Sequence, residues 1–173
     1  MPPTLRKFML ILHIATSVGW LGAVAAYLAL DITAATSRDA ELVRAAYLAM
    51  ERMALYVIVP LALAALLTGL VMSLGTKWGL IRHYWILISF LLTVVAVAVL
   101  LAETQTISYL ADEAAGASDD DLLALDNTLA HSIGGTLVLL VVLTLNVYKP
   151  RGLTRYGWRK QRQERQREAS RHT

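Results

Sequence analysis

The chain has 173 residues, of which 57% are hydrophobic and 17% charged, and its formal net charge is +3. This composition is too apolar for a soluble domain of this length, so it predicts an integral membrane protein. The chain contains no cysteine, which excludes disulfide bonds, thiolate zinc sites and iron–sulfur clusters. A hydrolase or kinase of the soluble type is not expected, because the sequence has no phosphate-binding loop and no nucleophile–base pattern.

Four stretches without a charged residue predict four membrane-spanning helices, at residues 8–30, 53–76, 83–102 and 127–148. Each matches the roughly 20 residues that cross a hydrocarbon core of about 30 Å. The predicted fold class is all-α, an up-down bundle of four transmembrane helices in residues 1–148, followed by a basic tail in residues 149–173. The first stretch is longer than the apolar region of a signal peptide, so we expect it to be a retained span.

The distribution of charge predicts the orientation of this bundle. The segments before the first span, between the second and third, and after the fourth carry 13 of the 16 lysines and arginines. The other two connections carry 11 of the 13 acidic residues. By the positive-inside rule we expect a multi-pass protein of the cell membrane, with both termini in the cytoplasm and the acidic connections outside.

The first predicted helix carries a polar stripe within its apolar span. His13, Ser17 and Trp20 recur at intervals of four and three residues, which places them on one helical face. Thr16 and Tyr27 lie close to the same stripe. Lipid cannot solvate these groups, so other helices or a ligand are expected to pack against them.

The second helix is expected to begin before the membrane and to be interrupted inside it. Ser37 has the residue type of an N-cap, so the helix would start near Arg38. Pro60 lacks a backbone N–H donor and predicts a kink. Gly75 and Gly79 permit a tight reversal, which makes the second and third helices antiparallel neighbours.

The third and fourth helices are also expected to extend beyond the membrane. No glycine or proline interrupts the chain between Glu103 and Gly116. Ser118 and Asp121 have the spacing of a capping box, which would open the fourth helix before it enters the bilayer. The extensions of helices two to four would then form a small acidic bundle on the outer face.

The tail from Lys149 onward is basic and almost without aliphatic residues. Its cations are expected to contact anionic lipid, at about 1 kcal/mol each. Trp78 in the second connection, and Tyr156 and Trp158 in the tail, have the residue types of the membrane interface. The interleaved aromatic pattern of nucleic-acid modules is absent, so no nucleic-acid partner is expected.

Two histidines are predicted to share a depth in the membrane. His13 follows Lys7 by six residues and His83 follows Lys77 by six, which puts both roughly 9 Å beyond their basic flanks. The first and third helices of an up-down bundle are diagonal, with axes roughly 12 to 14 Å apart. Two inward imidazoles could span this gap with a haem iron between them, so His13 and His83 are candidate metal ligands.

A third histidine, His131, is predicted near the outer face, too far away to bind the same iron. It shares one side of the fourth helix with Asn127, Gly134 and Gly135. Because paired glycines let a flat ring approach the backbone, this side is a candidate for a second tetrapyrrole or a quinone. Each of the three histidines could instead form a hydrogen bond between helices.

Residues 12–30, LHIATSVGWLGAVAAYLAL, resemble the first-helix signature of a bacterial superfamily that includes the copper-resistance D-type membrane domains and HemJ-type protoporphyrinogen oxidases. The segment GLIRHYWILISFLLTVV is similar to its third helix. HSIGGTLVLLVVLTLNVYKPRGLTRYG resembles the end of a smaller, uncharacterised family of bacterial four-helix membrane proteins within it. The resemblance implies haem b in the bundle, with His13 matching the first-helix histidine. Ser89 stands in the stretch where HemJ-type enzymes have a lysine, so the oxidase activity is not carried over.

The main functional hypothesis is a haem b protein in electron transfer or haem handling, with a redox partner protein. Ser17, Trp20 and Gly135 are predicted to contribute to the cofactor site with the histidines, and an enzymatic activity would be that of a membrane oxidoreductase. The first alternative is a cofactor-free module whose acidic outer bundle or basic tail binds a partner protein, with the histidines in structural roles. Formation of a homo-oligomer is a separate expectation. The second alternative is a copper permease using Met50 and Met53, although no span repeats methionine or acid along its length.

Overall fold

The computed structural model describes residues 2–75, 80–125, 128–150 and 152–170. Within these ranges the chain forms six helices and no strand. They are α1 Pro3–Thr36, α2 Ala40–Gly75, α3 Tyr84–Gly116, α4 Asp119–Leu123, α5 Leu129–Tyr148 and α6 Arg155–Ala169. The helices α1, α2, α3 and α5 are long and apolar enough to cross a membrane, which confirms the predicted all-α bundle of four spans.

The four long helices form a square. The helix α1 packs against α2 and α5, and α3 packs against the same two neighbours. In the described part of the chain α1 and α3 do not pack as a pair, so they are diagonal, as an up-down bundle requires. We call the end with the 37–39 connection and α4 the acidic end, and the opposite end, which carries α6, the tail end.

The interior of the bundle follows from one stripe of α1. Its buried residues recur every three or four positions, and they are Thr16, Trp20, Ala23, Tyr27, Asp31 and Ala34. The facing side of α2 is built largely from alanines, which allow the two backbones to approach closely. Of the polar face predicted on the first helix, Thr16, Trp20 and Tyr27 lie in this buried stripe, whereas His13 and Ser17 are only half-buried.

The helix α2 differs from its prediction at the start and is irregular near Pro60. Its N-cap is Asp39, whose carboxylate accepts hydrogen bonds from the N–H groups of Glu41 and Leu42 at 3.0 and 3.3 Å. The predicted N-cap, Ser37, instead ends α1. Just before Pro60 the helix widens into a π-helical segment at Ala54–Ile58, where the regular pattern of hydrogen bonds is disturbed.

The acidic end confirms one predicted extension and corrects another. The helix α3 runs without interruption to Gly116. Ser118 caps the next helix through the N–H of Asp121, but this helix is α4, which ends at Leu123. The fourth span begins separately at Leu129. The predicted capping box therefore opens a short helix of its own, because the chain turns at 124–125 before the span starts.

The basic tail forms a helix that is attached to the bundle. The carbonyl of Arg82 accepts a hydrogen bond from the N–H of Thr154 at 3.1 Å, and the Thr154 hydroxyl donates to the Ile81 carbonyl at 2.5 Å. The same hydroxyl caps α6 by accepting from the N–H of Gly157 at 3.1 Å. The predicted turn at Gly79, together with Lys77, Trp78 and Asn127, lies outside the described residues.

Candidate functional site

A cavity of about 300 Å³ lies between α1, α3 and α5, and the π-helical segment of α2 closes its base. From Leu92 to Ile107 of α3 the cavity wall extends about 22 Å, at 1.5 Å per residue. Most of this wall is aliphatic. Val95, Val99 and Gly134 line the cavity and are also exposed, so it opens on the bundle surface between α3 and α5.

The polar groups of the cavity are gathered at the acidic end of the bundle. They belong to Tyr27, Glu103, Thr128, His131 and Ser132. Tyr27 and Glu103 lie in the halves of α1 and α3 that are nearer the acidic end, and Thr128, His131 and Ser132 lie at the start of α5. Toward the middle of the bundle the wall contains only apolar side chains and the indole of Trp20. The cavity therefore changes from polar to apolar along its length.

A buried carboxylate stands behind this polar end. Asp31 of α1 is fully inaccessible to solvent. Its Oδ2 accepts hydrogen bonds from the hydroxyls of Ser132 at 2.6 Å and Thr128 at 3.0 Å. The Tyr27 hydroxyl lies 3.5 Å from the Thr128 hydroxyl and extends the group toward the cavity. These contacts connect α1 to the first turn of α5.

His131 is the imidazole that lines the cavity. Its Nε2 lies 3.6 Å from Oε1 of Glu103, and the two side chains are 59% and 23% exposed. Gly135, one turn further along α5, also lines the cavity, and a Cβ there would meet nothing within 4 Å. The predicted association of His131 with glycines on one side of this helix therefore corresponds to a real concave surface.

His13 is held in a different place, in the groove between α1 and α2. Its Nδ1 lies 3.0 Å from the hydroxyl of Thr68. The same hydroxyl donates to the Ala64 carbonyl at 2.7 Å, so it joins the imidazole to the backbone of α2. The ring lies against Gly69, where a Cβ would come within 3.0 Å of the imidazole Cε1. A glycine at this position therefore leaves room for the histidine.

His83 lies at the tail end, outside the third helix. It is the N-cap residue of α3 and has an extended backbone, which pairs with the backbone at Leu153 in a single antiparallel β-bridge. Its ring centroid is 6.5 Å from that of Trp85. The residue thus belongs to the contact between the second connection and the tail.

The structure brings together one part of the predicted site. Trp20, His131 and Gly135 line the cavity, whereas His13, Ser17 and His83 do not. The described residues therefore do not fit a haem held in this cavity by His13 and His83, and haem binding stays a prediction of the sequence. Among the described residues no group of three His, Cys, Asp or Glu could hold a metal ion.

Asp31 is not among the site residues predicted from the sequence, because its charge marks the end of the first apolar stretch. A signal for it was present in the spacing. Trp20, Tyr27 and Asp31 are separated by seven and four residues, so they share the face that carries the polar stripe. Glu103 was missed for the same reason, since it ends the third stretch.

Comparison with known proteins gives one family. The family model described as "Predicted integral membrane protein (DUF2269)" matches residues 7–150. No curated protein and no solved structure matches the chain. These findings do not reach the copper-resistance D-type or HemJ-type groups, so that link stays a prediction. Because the family model covers most of the chain, including all four spans and the cavity, this protein belongs to the DUF2269 family of predicted integral membrane proteins.

Proposed function

We propose that this membrane protein binds an amphiphilic, membrane-soluble small molecule of the quinone class in the cavity between α1, α3 and α5. The observation that supports the proposal is the separation of polar and apolar wall along the cavity. A quinone has a flat ring with hydrogen-bonding oxygens and an apolar tail. Its ring would lie at the acidic end and its tail among the aliphatic side chains of α3 and α5.

The polar end offers the groups that such a ring requires. Tyr27 and His131 carry polar hydrogens, and Glu103 adjoins the imidazole of His131. Ligand pockets are typically apolar, with a few polar groups that fix the orientation of the ligand. The opening between α3 and α5 would face lipid in the membrane, so the molecule could enter from the bilayer.

A second form of cofactor binding, predicted from the sequence, is haem b with a role in electron transfer or haem handling. A tetrapyrrole in the cavity would have His131 as its nearest imidazole, whereas the pair predicted from the sequence is His13 and His83. A difference spectrum of the oxidised and dithionite-reduced protein tests this form. A reduced α-band that disappears in His13→Ala and His83→Ala would support haem ligation by the predicted pair. A band that disappears only in His131→Ala would support a haem bound in the cavity.

The experiment for the quinone proposal compares two glycines, one that lines the cavity and one that does not. Gly135→Leu puts a side chain into the cavity, because a Cβ at Gly135 meets open space. Gly22→Leu is the matched control, since its Cβ also meets nothing within 4 Å and Gly22 does not line the cavity. Binding of a short-tailed quinone is measured in nanodiscs through quenching of Trp20 fluorescence, with Trp20→Phe to identify the signal.

We expect saturable binding by the native protein, at least about tenfold weaker binding by Gly135→Leu, and no change for Gly22→Leu. Absence of saturable binding, or equal binding by all three proteins, would refute the proposal. If Gly135→Leu instead changes the mass of the protein in nanodiscs or detergent, the opening between α3 and α5 is an interface between copies of this chain.

We also propose that the tail end faces the cytoplasm of the cell and that α6 contacts anionic lipid. The support is the concentration of lysine and arginine at this end. Since the chain has no cysteine, single cysteines can report orientation. Ser170→Cys should be protected from a membrane-impermeant maleimide in intact cells, and Ser37→Cys should be labelled. The opposite pattern would reverse the proposed orientation.

A further inference from the structure

The carboxylate of Asp31 is one of the most deeply buried groups of the bundle, and half of it has no partner. The residue is fully inaccessible to solvent, and in the described part of the chain its Oδ1 has no hydrogen-bond partner. Its Oδ2, by contrast, accepts from two hydroxyls, those of Ser132 and Thr128. A buried carboxylate oxygen without a donor is costly, so this atom requires a partner that the described residues do not provide.

The charges around Asp31 increase this requirement. Glu103 lies on the facing side of α3 and is 23% exposed, so the acidic end of the interior carries two carboxylates. His131 contacts Glu103 and not Asp31. Arg44, a basic side chain near the start of α2, is bound to the carbonyls of Ala114 and Ala117 at the end of α3. No described ion pair includes Asp31.

The start of α5 compensates for part of this negative charge. Thr128 is the N-cap residue of α5, and the first turn of a helix carries a partial positive charge. This effect acts on the side of Oδ2, where both hydroxyls bind. It does not give a partner to Oδ1, so the carboxylate remains incompletely neutralised.

The surrounding ligands are all oxygens. Hydroxyls can rotate, and that of Ser132 has a second acceptor in the Leu129 carbonyl at 3.1 Å. It can therefore direct its hydrogen there and offer a lone pair to a cation. The Thr128 hydroxyl can do the same toward Tyr27, at 3.5 Å. One carboxylate with two hydroxyls is a donor set for a hard cation.

We propose that Asp31, Thr128 and Ser132 form a binding site for a sodium ion between α1 and the first turn of α5. A single carboxylate neutralises one charge, and among the described residues there is no cluster of acids and histidines for a divalent metal. The ion would complete the contacts of Oδ1 and hold α5 against α1. Thr128 and Ser132 also line the cavity and Asp31 does not, so the ion would lie behind the polar end of the cavity, and its binding does not rest on quinone binding.

The test is the midpoint temperature of thermal unfolding in a nonionic detergent. Sodium chloride is exchanged for choline chloride at constant total salt, so that general screening does not change. At sodium concentrations above the dissociation constant of the site, each tenfold rise in sodium should raise the midpoint temperature by about 3 to 6 °C. Equal midpoints in sodium and choline would overturn the proposal, as would a dependence on pH alone.

Two variants and one control locate the effect. Asp31→Asn retains the size of the side chain but not its charge, and its midpoint should not respond to sodium. Ser132→Ala keeps the carboxylate and removes one ligand, so about tenfold more sodium should be needed for the same shift. The control is Ser73→Ala, which alters another buried serine, bonded to the Leu70 carbonyl near the end of α2. A sodium response that persists in Asp31→Asn, or disappears in Ser73→Ala, would contradict the assignment.

Discussion

Gly157 provides a direct test of how the tail helix is attached to the bundle. A Cβ at this position would lie 2.4 Å from the carbonyl oxygen of Arg82, whereas real Cβ atoms essentially never approach closer than 3.0 Å. The substitution Gly157→Ala therefore requires a displacement of at least 0.6 Å, the difference between 3.0 and 2.4 Å. The obstacle is backbone, so it cannot rotate aside, and α6 has to move.

The size of the effect follows from the hydrogen bonds at this contact. The same Arg82 carbonyl accepts from the N–H of Thr154 at 3.1 Å, and a shift of 0.6 Å along this bond would lengthen it to 3.7 Å, which no longer qualifies as a hydrogen bond. The bonds from Thr154 to Ile81 and from Tyr84 to Gly152 belong to the same contact. Losing all three costs about 1.5 to 4.5 kcal/mol, which raises the detached population on the order of 10- to 1,000-fold.

Detachment should be visible as proteolysis. A helix of 15 residues is marginal in water on its own, so α6 should unfold once it leaves the bundle. Trypsin should then cleave after Arg159 and Arg162 faster than in the native protein, in proportion to the detached population. Gly152→Ala is the matched control, because its Cβ would make an ordinary contact of 3.7 Å with Tyr84. Equal cleavage rates for Gly157→Ala and the native protein would refute the proposed role of this contact in attaching α6 to the bundle.

Three further predictions concern the bundle itself. A double-mutant cycle of His13→Ala and Thr68→Val should give a coupling of about 0.6 kcal/mol and at most about 1.7 kcal/mol, measured by unfolding in mixed micelles; zero coupling would exclude the hydrogen bond. Arg44→Met should lower the unfolding free energy by about 1 to 3 kcal/mol, because Arg44 binds two carbonyls at the end of α3. It should also speed the hydrogen exchange of the backbone amides at 117–123, and Arg44→Lys should recover little of the lost stability. Tyr27→Phe should change the unfolding free energy by less than about 0.5 kcal/mol, since its hydroxyl is 3.5 Å from that of Thr128; a cost above about 2 kcal/mol would show a much stronger contact.

The spans could be predicted from the sequence because a membrane imposes one requirement on every residue of a span. Each backbone polar group must be satisfied within the helix, so length and absence of charge are sufficient signals. The end of α3 at Gly116 could equally be predicted, since no glycine or proline stands earlier in this helix. The sequence predicts Ser37 as the N-cap of α2, whereas the structure has Asp39. Both residue types satisfy the same backbone groups, so only geometry distinguishes them.

The candidate site could be predicted only in part, because its residues come from three helices whose rotations depend on packing. Trp20, His131 and Gly135 were identified from their types and spacings, but nothing in the sequence related α1 to α5 in depth. His13 illustrates the reverse case. An imidazole inside a span is compatible with a metal ligand or with a hydrogen bond between helices, and its contact with Thr68 depends on the rotation of α2.

The position of the cavity follows from unequal side-chain sizes on the two sides of the bundle. On one side α2 meets α1 through Ala54, Ala62 and Ala65, so these backbones pack closely. On the other side α5 presents Gly134 and Gly135, where a Cβ would meet nothing within 4 Å. The α1–α2 side therefore holds the bundle together, while the α3–α5 side leaves space. Substitutions in the alanine contact should change stability, and those at the two glycines should change ligand binding with little effect on folding.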